Sequence, residues 1–257
     1  NFENKNFSLL NTQEIQYLTR NTQENWAKYL VHRHKFNLYE DSHLLPDFPL
    51  YLILEPVSAC NLRCPFCHQI DEKFTSNNQM MGMMELELFK KIIDEAVNSG
   101  TEAITLTCRG EPTLHPQLGE MLEYCSGKFI EFKMNTNATK LNEKLIHQIL
   151  KSGMTDLVFS VDSYYKEEFE SLRVRAVFEE VVENIKKFKE IRDKEYPNFG
   201  CVTRASGVQV SEKQDPQKFE EFWSQYVDFV VMVRMLNRWD IYNNSTDIAG
   251  TSPCHYL

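Results

Sequence analysis

Three cysteines occur within eight residues, at Cys60, Cys64 and Cys67 of the segment CNLRCPFC. Thiolates are soft ligands that favour zinc, copper(I) or an iron–sulfur cluster. A structural zinc site needs a fourth protein ligand and usually pairs its cysteines in two C-x2-C units, and this chain has only one such unit. His68 directly follows Cys67, and adjacent side chains seldom reach one ion together. A disulfide would leave one thiol unpaired, so the spacing favours an iron–sulfur cluster.

A cluster held by three cysteines leaves one iron without a protein ligand, whereas electron-transfer clusters normally have four cysteine ligands. An open coordination position on a metal site is where a substrate or cofactor binds. The sequence therefore predicts a catalytic metal centre. The remaining thiols Cys108, Cys125 and Cys201 lie in or beside apolar runs, and we expect them to be buried in the core.

From about residue 50 onward, short apolar runs alternate with segments of helical period, which predicts βα units around a parallel sheet. The predicted strands span residues 50–56, 102–107, 129–136, 155–161, 199–206 and 228–236. One predicted helical stripe that faces the sheet consists of Phe89, Ile92, Ile93, Ala96 and Val97. Asn142 is expected to cap the helix that follows the third strand.

Six βα units are too few for a complete eight-stranded barrel. We therefore predict an α/β fold, a partial (β/α)6 TIM-like barrel that is curved and partly open, with its functional loops at the carboxyl ends of the strands. Residues 1–49 differ from this pattern. They predict helix as far as about residue 30 and a loop over 34–49, and we expect them to form an N-terminal helical extension packed on the barrel.

The overall composition is that of an ordinary globular protein, with 42% hydrophobic and 25% charged residues. A formal net charge of −9 argues against nucleic-acid binding, because phosphate contacts depend on clustered Lys and Arg. No apolar run approaches the roughly 18 residues of a membrane span. The N-terminal stretch lacks the basic-then-apolar pattern of a secretory signal. We therefore expect a cytoplasmic protein without membrane or nucleic-acid partners.

The pattern C-x3-C-x2-C, with the aromatic Phe66 before the last cysteine, resembles the signature of the radical S-adenosylmethionine (SAM) superfamily. The resemblance implies a [4Fe-4S] cluster bound by Cys60, Cys64 and Cys67, with SAM on the fourth iron. It continues downstream in order, from about residue 50 to residue 257. It also implies an electron donor such as flavodoxin or ferredoxin.

Further segments resemble the family's SAM-binding positions. RGEPTLHP resembles the Gly-Gly-Glu-Pro segment that holds the SAM amino group, although Arg109 stands where the first glycine is usual. MNTNA resembles a Thr-Asn-Gly turn, with Ala138 in the place of glycine. FSVDS resembles the end of strand four, and the segment from residue 172 resembles the one whose arginine pairs with the SAM carboxylate. The cofactor-binding residues that this resemblance implies are Phe66, Gly110, Glu111, Pro112, Asn137, Ser160, Asp162 and Arg173.

Several of these residues have ordinary structural alternatives. Gly110 and Pro112 can form a strand-ending turn, and an arginine before a helix, here Arg173, is usually solvated. An asparagine such as Asn137 often only turns the backbone, and a serine and an aspartate at a strand end, here Ser160 and Asp162, often cap the next helix. His115 and Trp239 are expected to be structural or pocket-lining residues.

The final segment SPCHYL is similar to the opening of the auxiliary-cluster extension of the SPASM or twitch type, with Cys254 as a possible first ligand. The resulting division is an extension at 1–49, a radical SAM core at 50–240 and the start of a C-terminal auxiliary region at 241–257. The resemblance implies an oxidoreductase-like enzyme that cleaves SAM to a 5′-deoxyadenosyl radical. The expected substrate is a small polar, sugar-like molecule that is oxidised. The alternatives are a peptide or protein substrate or, in another class, a non-catalytic metal-binding module.

Overall fold

The computed structural model describes residues 11–42, 45–198 and 200–235 of the 257-residue chain, and it contains one six-stranded sheet. The strands β1 to β6 are Tyr51–Leu54, Ala103–Leu106, Glu131–Thr136, Asp156–Ser160, Val202–Gln209 and Phe229–Arg234. They lie side by side in chain order, and each neighbouring pair is parallel. β1 and β6 form the two edges, so the sheet is not closed. The predicted α/β class and the partial barrel are confirmed.

Helices connect the strands and precede the first of them. Helices α1 to α9 are Thr12–Arg20, Gln23–Ser42, Glu72–Thr75, Leu86–Asn98, Leu118–Cys125, Glu143–Lys151, Lys166–Leu172, Phe178–Glu195 and Pro216–Trp223. Two short 3-10 helices, His68–Ile70 and Pro112–Leu114, lie in the loops that follow β1 and β2. Asn142 caps α6 as predicted, because its side chain accepts a hydrogen bond from the Leu145 amide at 3.0 Å.

The predicted apolar stripe of α4 is correct except at its edge. Phe89, Ile93 and Ala96 are fully buried against the sheet, whereas Val97 is exposed. At about 100° per residue, Val97 lies about 80° around the helix from Phe89, beyond the side that the sheet covers.

The N-terminal helices pack on the amino-terminal end of the sheet. Tyr17, Leu18, Trp26 and Tyr29 form a small apolar cluster there, separate from the main core. His32 and Lys35 both bind Glu102, at 3.0 and 2.6 Å, just before β2. The predicted loop at 34–49 is therefore wrong over 34–42, because α2 continues to Ser42. The proposed division of the chain into three regions stays a prediction.

The two faces of the sheet have different chemistry. Phe132 and Met134 of β3 join the large apolar core beneath the helices. Lys133 lies between these two residues, and Asn135 follows Met134. Because side chains alternate across a strand, Lys133 and Asn135 point to the opposite, concave face. We call the space on this face the barrel interior. In the described part of the chain, no helix combines the length and the apolar character that a bilayer span requires.

Candidate active site

The three clustered thiols lie on the loop that follows β1, at the carboxyl end of the sheet. Cys64 is buried, and Cys60 and Cys67 are half-buried. All three are free thiols rather than disulfides. The Cys67 amide donates to the Cys64 carbonyl at 2.9 Å, and the Leu62 amide donates to the Cys60 sulfur at 3.4 Å. Backbone turns therefore hold the thiols in place.

The thiols interact electrostatically with one another and with one arginine. Burial raises the pKa of Cys64 to about 11, and the neighbouring Arg173 guanidinium acts in the opposite direction. Burial also raises the pKa of Cys60, and the nearby Cys67 thiol contributes to this rise. Metal binding requires thiolates, so a metal centre here would displace these protons.

The arrangement fits a cluster better than a single ion. Within residues 11–42, 45–198 and 200–235, no group of three or more His, Cys, Asp or Glu side chains is placed to hold one metal ion. Zinc would require such a group. The cysteines of an iron–sulfur cluster cap different irons, so their sulfurs need not meet at one point. Three neighbouring free thiols on one loop match that requirement.

Gly110 allows the loop after β2 to approach the cysteine loop. A β-carbon at this position would lie 1.9 Å from the Val57 carbonyl oxygen and 2.7 Å from that of Ala59. No side chain fits in that space. The next residue, Glu111, donates its amide to the Ala59 carbonyl at 2.9 Å, so the two loops are joined directly.

Glu111 connects the second loop to the third. Its buried carboxylate accepts hydrogen bonds from the Thr136 hydroxyl and the Asn137 amide, both at 2.7 Å, and from Thr113. Burial raises the pKa of Glu111, and these donors oppose the rise. Pro112 follows as the first residue of a 3-10 helix and is also buried.

Asn137 reaches back to the cysteine loop. Its side-chain nitrogen Nδ2 lies 3.0 Å from the Asn61 side-chain oxygen and 3.8 Å from the Cys60 sulfur. The following Ala138 has φ 61°, a left-handed conformation that favours glycine. This explains why the family pattern usually has glycine at that position.

Arg173 lies beside the thiols but has a partner within the chain. Its guanidinium forms an ion pair with Asp162, which is fully buried, and lies 5.9 Å from the Phe66 ring centroid. The other Asp162 oxygen accepts from the Val208 amide at 2.8 Å. Asp162 therefore faces Arg173 and β5, while the half-buried Ser160 ends β4 at the barrel interior.

The structure thus brings the eight predicted cofactor-binding residues to the same end of the sheet as the cysteines. Their contacts with SAM stay predictions. The four connected loops, which follow β1 to β4, form the candidate site.

Sequence reasoning missed two residues that position these loops. Glu55 accepts three hydrogen bonds from Arg109, including one from the backbone amide at 2.8 Å. Buried Gln69 donates to the carbonyls of Ser58 and Arg109, at 2.7 and 2.8 Å. The only signal for Glu55 in the sequence was a charged residue near the end of the apolar run 50–56. Arg109 is therefore held by Glu55 and lies 5.2 Å from the Phe74 ring centroid.

Other sequence expectations have mixed outcomes. Cys125 and Cys201 are buried as predicted, but Cys108 is exposed. Cys108 lies beyond the end of β2 in a turn with φ 126°, which takes it out of the apolar core. His115 is structural, because its two ring nitrogens contact the Met84 carbonyl and the Gln117 amide. Cys254 and Trp239 lie outside the described residues.

The chain is similar to one family model and to several known proteins. The family model described as "Radical SAM superfamily" matches residues 54–208. The chain is 33% identical over 116 residues to a tungsten-containing aldehyde ferredoxin oxidoreductase cofactor-modifying protein of Pyrococcus furiosus. It is 30% identical over 132 residues to the antilisterial bacteriocin subtilosin biosynthesis protein AlbA of Bacillus subtilis. These matches cover 44% and 49% of this chain but only 30% and 27% of the relatives.

Among solved structures, Streptococcus suis SuiB bound to S-adenosylmethionine has a similar fold, with a TM-score of 0.59 and 19% identity. The similarity covers 85% of this chain and 48% of SuiB. The match to the family model includes all three cysteines, strands β2 to β4 and all but the last residue of β5. The chain belongs to the radical SAM superfamily, whose members are enzymes that use a [4Fe-4S] cluster and S-adenosylmethionine.

Proposed function

We propose that this protein is a radical SAM enzyme that acts on a peptide substrate, with Cys60, Cys64 and Cys67 as the ligands of its cluster. The single observation that carries the proposal is the group of three neighbouring free thiols on the β1 loop. Cys60, Cys64 and Cys67 would hold the cluster, and the chemistry that it would supply when reduced is one electron for the cleavage of SAM to methionine and a 5′-deoxyadenosyl radical, which would take a hydrogen atom from the substrate.

The chain's own residues prepare this site in three ways. Gly110 lets the SAM-facing loop lie directly on the cysteine loop. Glu111 and Asn137 fix the relative positions of the loops through buried hydrogen bonds. The curved sheet forms a walled space, and such a space limits attack of a radical on water and on other groups.

The substrate class rests on similarity rather than on geometry. AlbA, a relative with 30% identity, is a bacteriocin biosynthesis protein, and this favours a peptide substrate. Because the chain spans only 27% of AlbA, the substrate is part of the proposal. The small sugar-like substrate expected from the sequence stays a prediction that the same assay tests.

The test is SAM cleavage by protein reconstituted anaerobically with iron and sulfide. We expect about four irons and four sulfides per chain, following the cluster type, and release of 5′-deoxyadenosine on addition of SAM and dithionite. Cys64→Ser should abolish both iron binding and SAM cleavage. A colourless zinc protein, or full activity in this variant, would contradict the assignment.

Cys125→Ser is the matched control. Cys125 is also a buried thiol, but it belongs to α5 and not to the cysteine loop. It should retain iron and cleavage activity. For the substrate class, deuterated peptides and deuterated sugars can be compared as donors, and transfer of deuterium from a sugar to 5′-deoxyadenosine would contradict the peptide proposal.

A further inference from the structure

Two cationic side chains project into the barrel interior, away from the thiols. Lys133 lies on β3 between Phe132 and Met134, which both join the core on the helix side. Arg204 lies on β5 directly before Ala205, which also belongs to that core. Because side chains alternate along strands, both cations face the concave side of the sheet.

Neither cation has a hydrogen-bonding partner or an ion pair within 4.0 Å among residues 11–42, 45–198 and 200–235. Both side chains are half-buried. The Arg204 Nε atom is buried without any acceptor, and the guanidinium carbon lies 5.8 Å from the Phe229 ring centroid. In the register layer of Arg204, where Asn135 and Arg204 both pair with Val158, the buried Asn135 side-chain oxygen also lacks a donor among the described residues. Buried polar groups are normally satisfied, so each of these atoms calls for an explanation.

Nearby acids do not supply the missing contacts. Asp156 on β4 is the register partner of Lys133, but its closest polar contact is the Thr155 hydroxyl at 2.7 Å. Burial raises the pKa of Asp156 to about 6, and Glu131 raises it further. Burial lowers the pKa of Lys133, and Arg204 adds to that effect by repulsion. The two cations therefore repel each other. The charge of Asp156 attracts both of them, but none of the described carboxylates lies within 4.0 Å of either.

Both cations lie deeper in the barrel than the SAM-binding positions that the family resemblance implies. Lys133 precedes Asn137 by four residues, which is ~13 Å along a strand at ~3.3 Å per residue. Arg204 pairs with Val158, two residues before Ser160, which is ~7 Å. A ligand held by both cations would extend from deep in the barrel toward the carboxyl end, where the substrate must meet the radical.

We propose that Lys133 and Arg204 bind an oxyanion of the substrate, a carboxylate or a phosphate, in the barrel interior. The proposal rests on the proposed function, because it assigns part of the substrate of the same site. An arginine guanidinium provides a planar fork of charge-assisted donors for such a group, and a lysine ammonium adds a compact positive charge. The unpartnered Asn135 oxygen accepts an N–H, and a peptide with an acidic side chain offers both an N–H and a carboxylate.

The experiment measures protection of Lys133 against acylation in the reconstituted holoprotein, followed by mass spectrometry. Two probes distinguish the sources of the oxyanion. N-acetyl-glutamate amide represents a peptide carboxylate, and inorganic phosphate represents a phosphorylated small molecule. We expect at least one probe to protect Lys133 in a saturable manner. The exposed Lys140 of the same chain should remain unprotected and serves as the internal control.

Arg204→Gln should weaken binding of the protecting probe about tenfold. This is the scale expected for the loss of a charge-assisted hydrogen bond. Absence of saturable protection by both probes would overturn the proposal, as would unchanged affinity in a folded Arg204→Gln variant. If that variant fails to fold, the proposal is tested by the presence or absence of saturable protection of Lys133 in the unmodified protein. The measurement needs no SAM cleavage, so inactive protein that still protects Lys133 would contradict the proposed function and not this site.

Discussion

The turns at the two ends of the parallel sheet differ in how they adopt left-handed backbone conformations. At the amino-terminal end, the turns before β2, β3 and β4 use Gly100, Gly127 and Gly153, with φ between 70° and 85°. At the carboxyl end, the positions two residues after the same strands are Cys108, Ala138 and Asp162, with φ of 126°, 61° and 54°.

A left-handed conformation costs a residue other than glycine about 1–2 kcal/mol. The chain avoids this cost at the amino-terminal end, which the N-terminal helices cover. It accepts the cost at these three positions at the end that carries the thiols, and again at Arg175, with φ 81°, between α7 and α8. Strain of this kind clusters at functional sites, where the surrounding structure maintains it. The comparison indicates that the first end serves stability and the second serves the site.

The largest expected effect at the carboxyl end is that of Gly110→Ala. The added methyl group would lie 1.9 Å from the Val57 carbonyl oxygen, so the two loops must separate. We expect a loss of about 3 kcal/mol in the free energy of unfolding, at the upper end for overpacking, and SAM binding weakened about tenfold or more. Urea unfolding and equilibrium binding of SAM to the reconstituted protein measure the two effects.

Gly82→Ala provides the matched control for this change. Gly82 also lies near the cysteine loop, where its amide donates to the Ser58 hydroxyl at 2.7 Å, but a β-carbon there has no atom within 4 Å. Its stability and SAM affinity should stay close to those of the unmodified protein. Equal effects of the two substitutions would show that the close approach of the two loops at Gly110 does not determine stability or SAM affinity.

An intermediate effect is expected for Gly153→Ala at the amino-terminal end. The nearest atom to an added β-carbon is 3.7 Å away, so the cost is conformational and not steric. With φ 78°, we expect a loss of about 1 kcal/mol in the free energy of unfolding. SAM cleavage per folded molecule should not change. Thermal or urea unfolding, together with 5′-deoxyadenosine release, measures both quantities.

The reverse substitution Ala138→Gly sharpens the comparison. Glycine removes a left-handed cost of about 1–2 kcal/mol, but it adds about 0.5–1 kcal/mol of unfolded-chain entropy and loses a buried methyl worth about 0.8 kcal/mol. The net change in stability should be close to zero. For Gly153→Ala, a strong loss of SAM cleavage would show that the amino-terminal turns also affect activity, and this would contradict the functional difference between the two ends.

Much of this architecture could be predicted from the sequence because it depends on local patterns. The apolar runs locate all six strands, and the spacing of the three cysteines locates the cysteine loop. The limits of the strands are less well determined. β5 is Val202–Gln209, whereas the sequence predicts a strand over 199–206. The observed end of β5 is polar and contains Gly207, so it carries no apolar signal.

The pairs that hold the loops together could not be predicted. Arg173 and Asp162 are separated by a turn and a helix, and Glu55 and Arg109 by 54 residues. Each residue has many alternative partners in the sequence, and only the folded chain selects one. Arg109 was a departure from the family pattern in sequence, whereas its partner Glu55 gives it a structural role.

A small loss of stability is expected for Arg109→Gln. The Arg109 side chain is 41% exposed and that of Glu55 is 17% exposed, so solvent weakens their ion pair. We expect a loss of about 0.5–1 kcal/mol at neutral pH, the range for a partly exposed pair. A double-mutant cycle with Glu55→Gln, measured by urea unfolding, isolates this interaction from other effects.

The pH dependence of this cycle identifies the carboxylate as the partner. Burial alone would raise the pKa of Glu55, but the hydrogen bonds and charge of Arg109 lower it below the ordinary value of 4.5. A carboxylate with a lowered folded-state pKa contributes stability that is present above its unfolded pKa and lost as the pH falls through the folded one. The coupling energy should therefore be constant from pH 6 to 8 and decline below about pH 4.5. A coupling energy that persists undiminished at pH 2 would show that the charge of Glu55 does not contribute to it, and that the neutral carboxyl group still accepts the Arg109 hydrogen bonds.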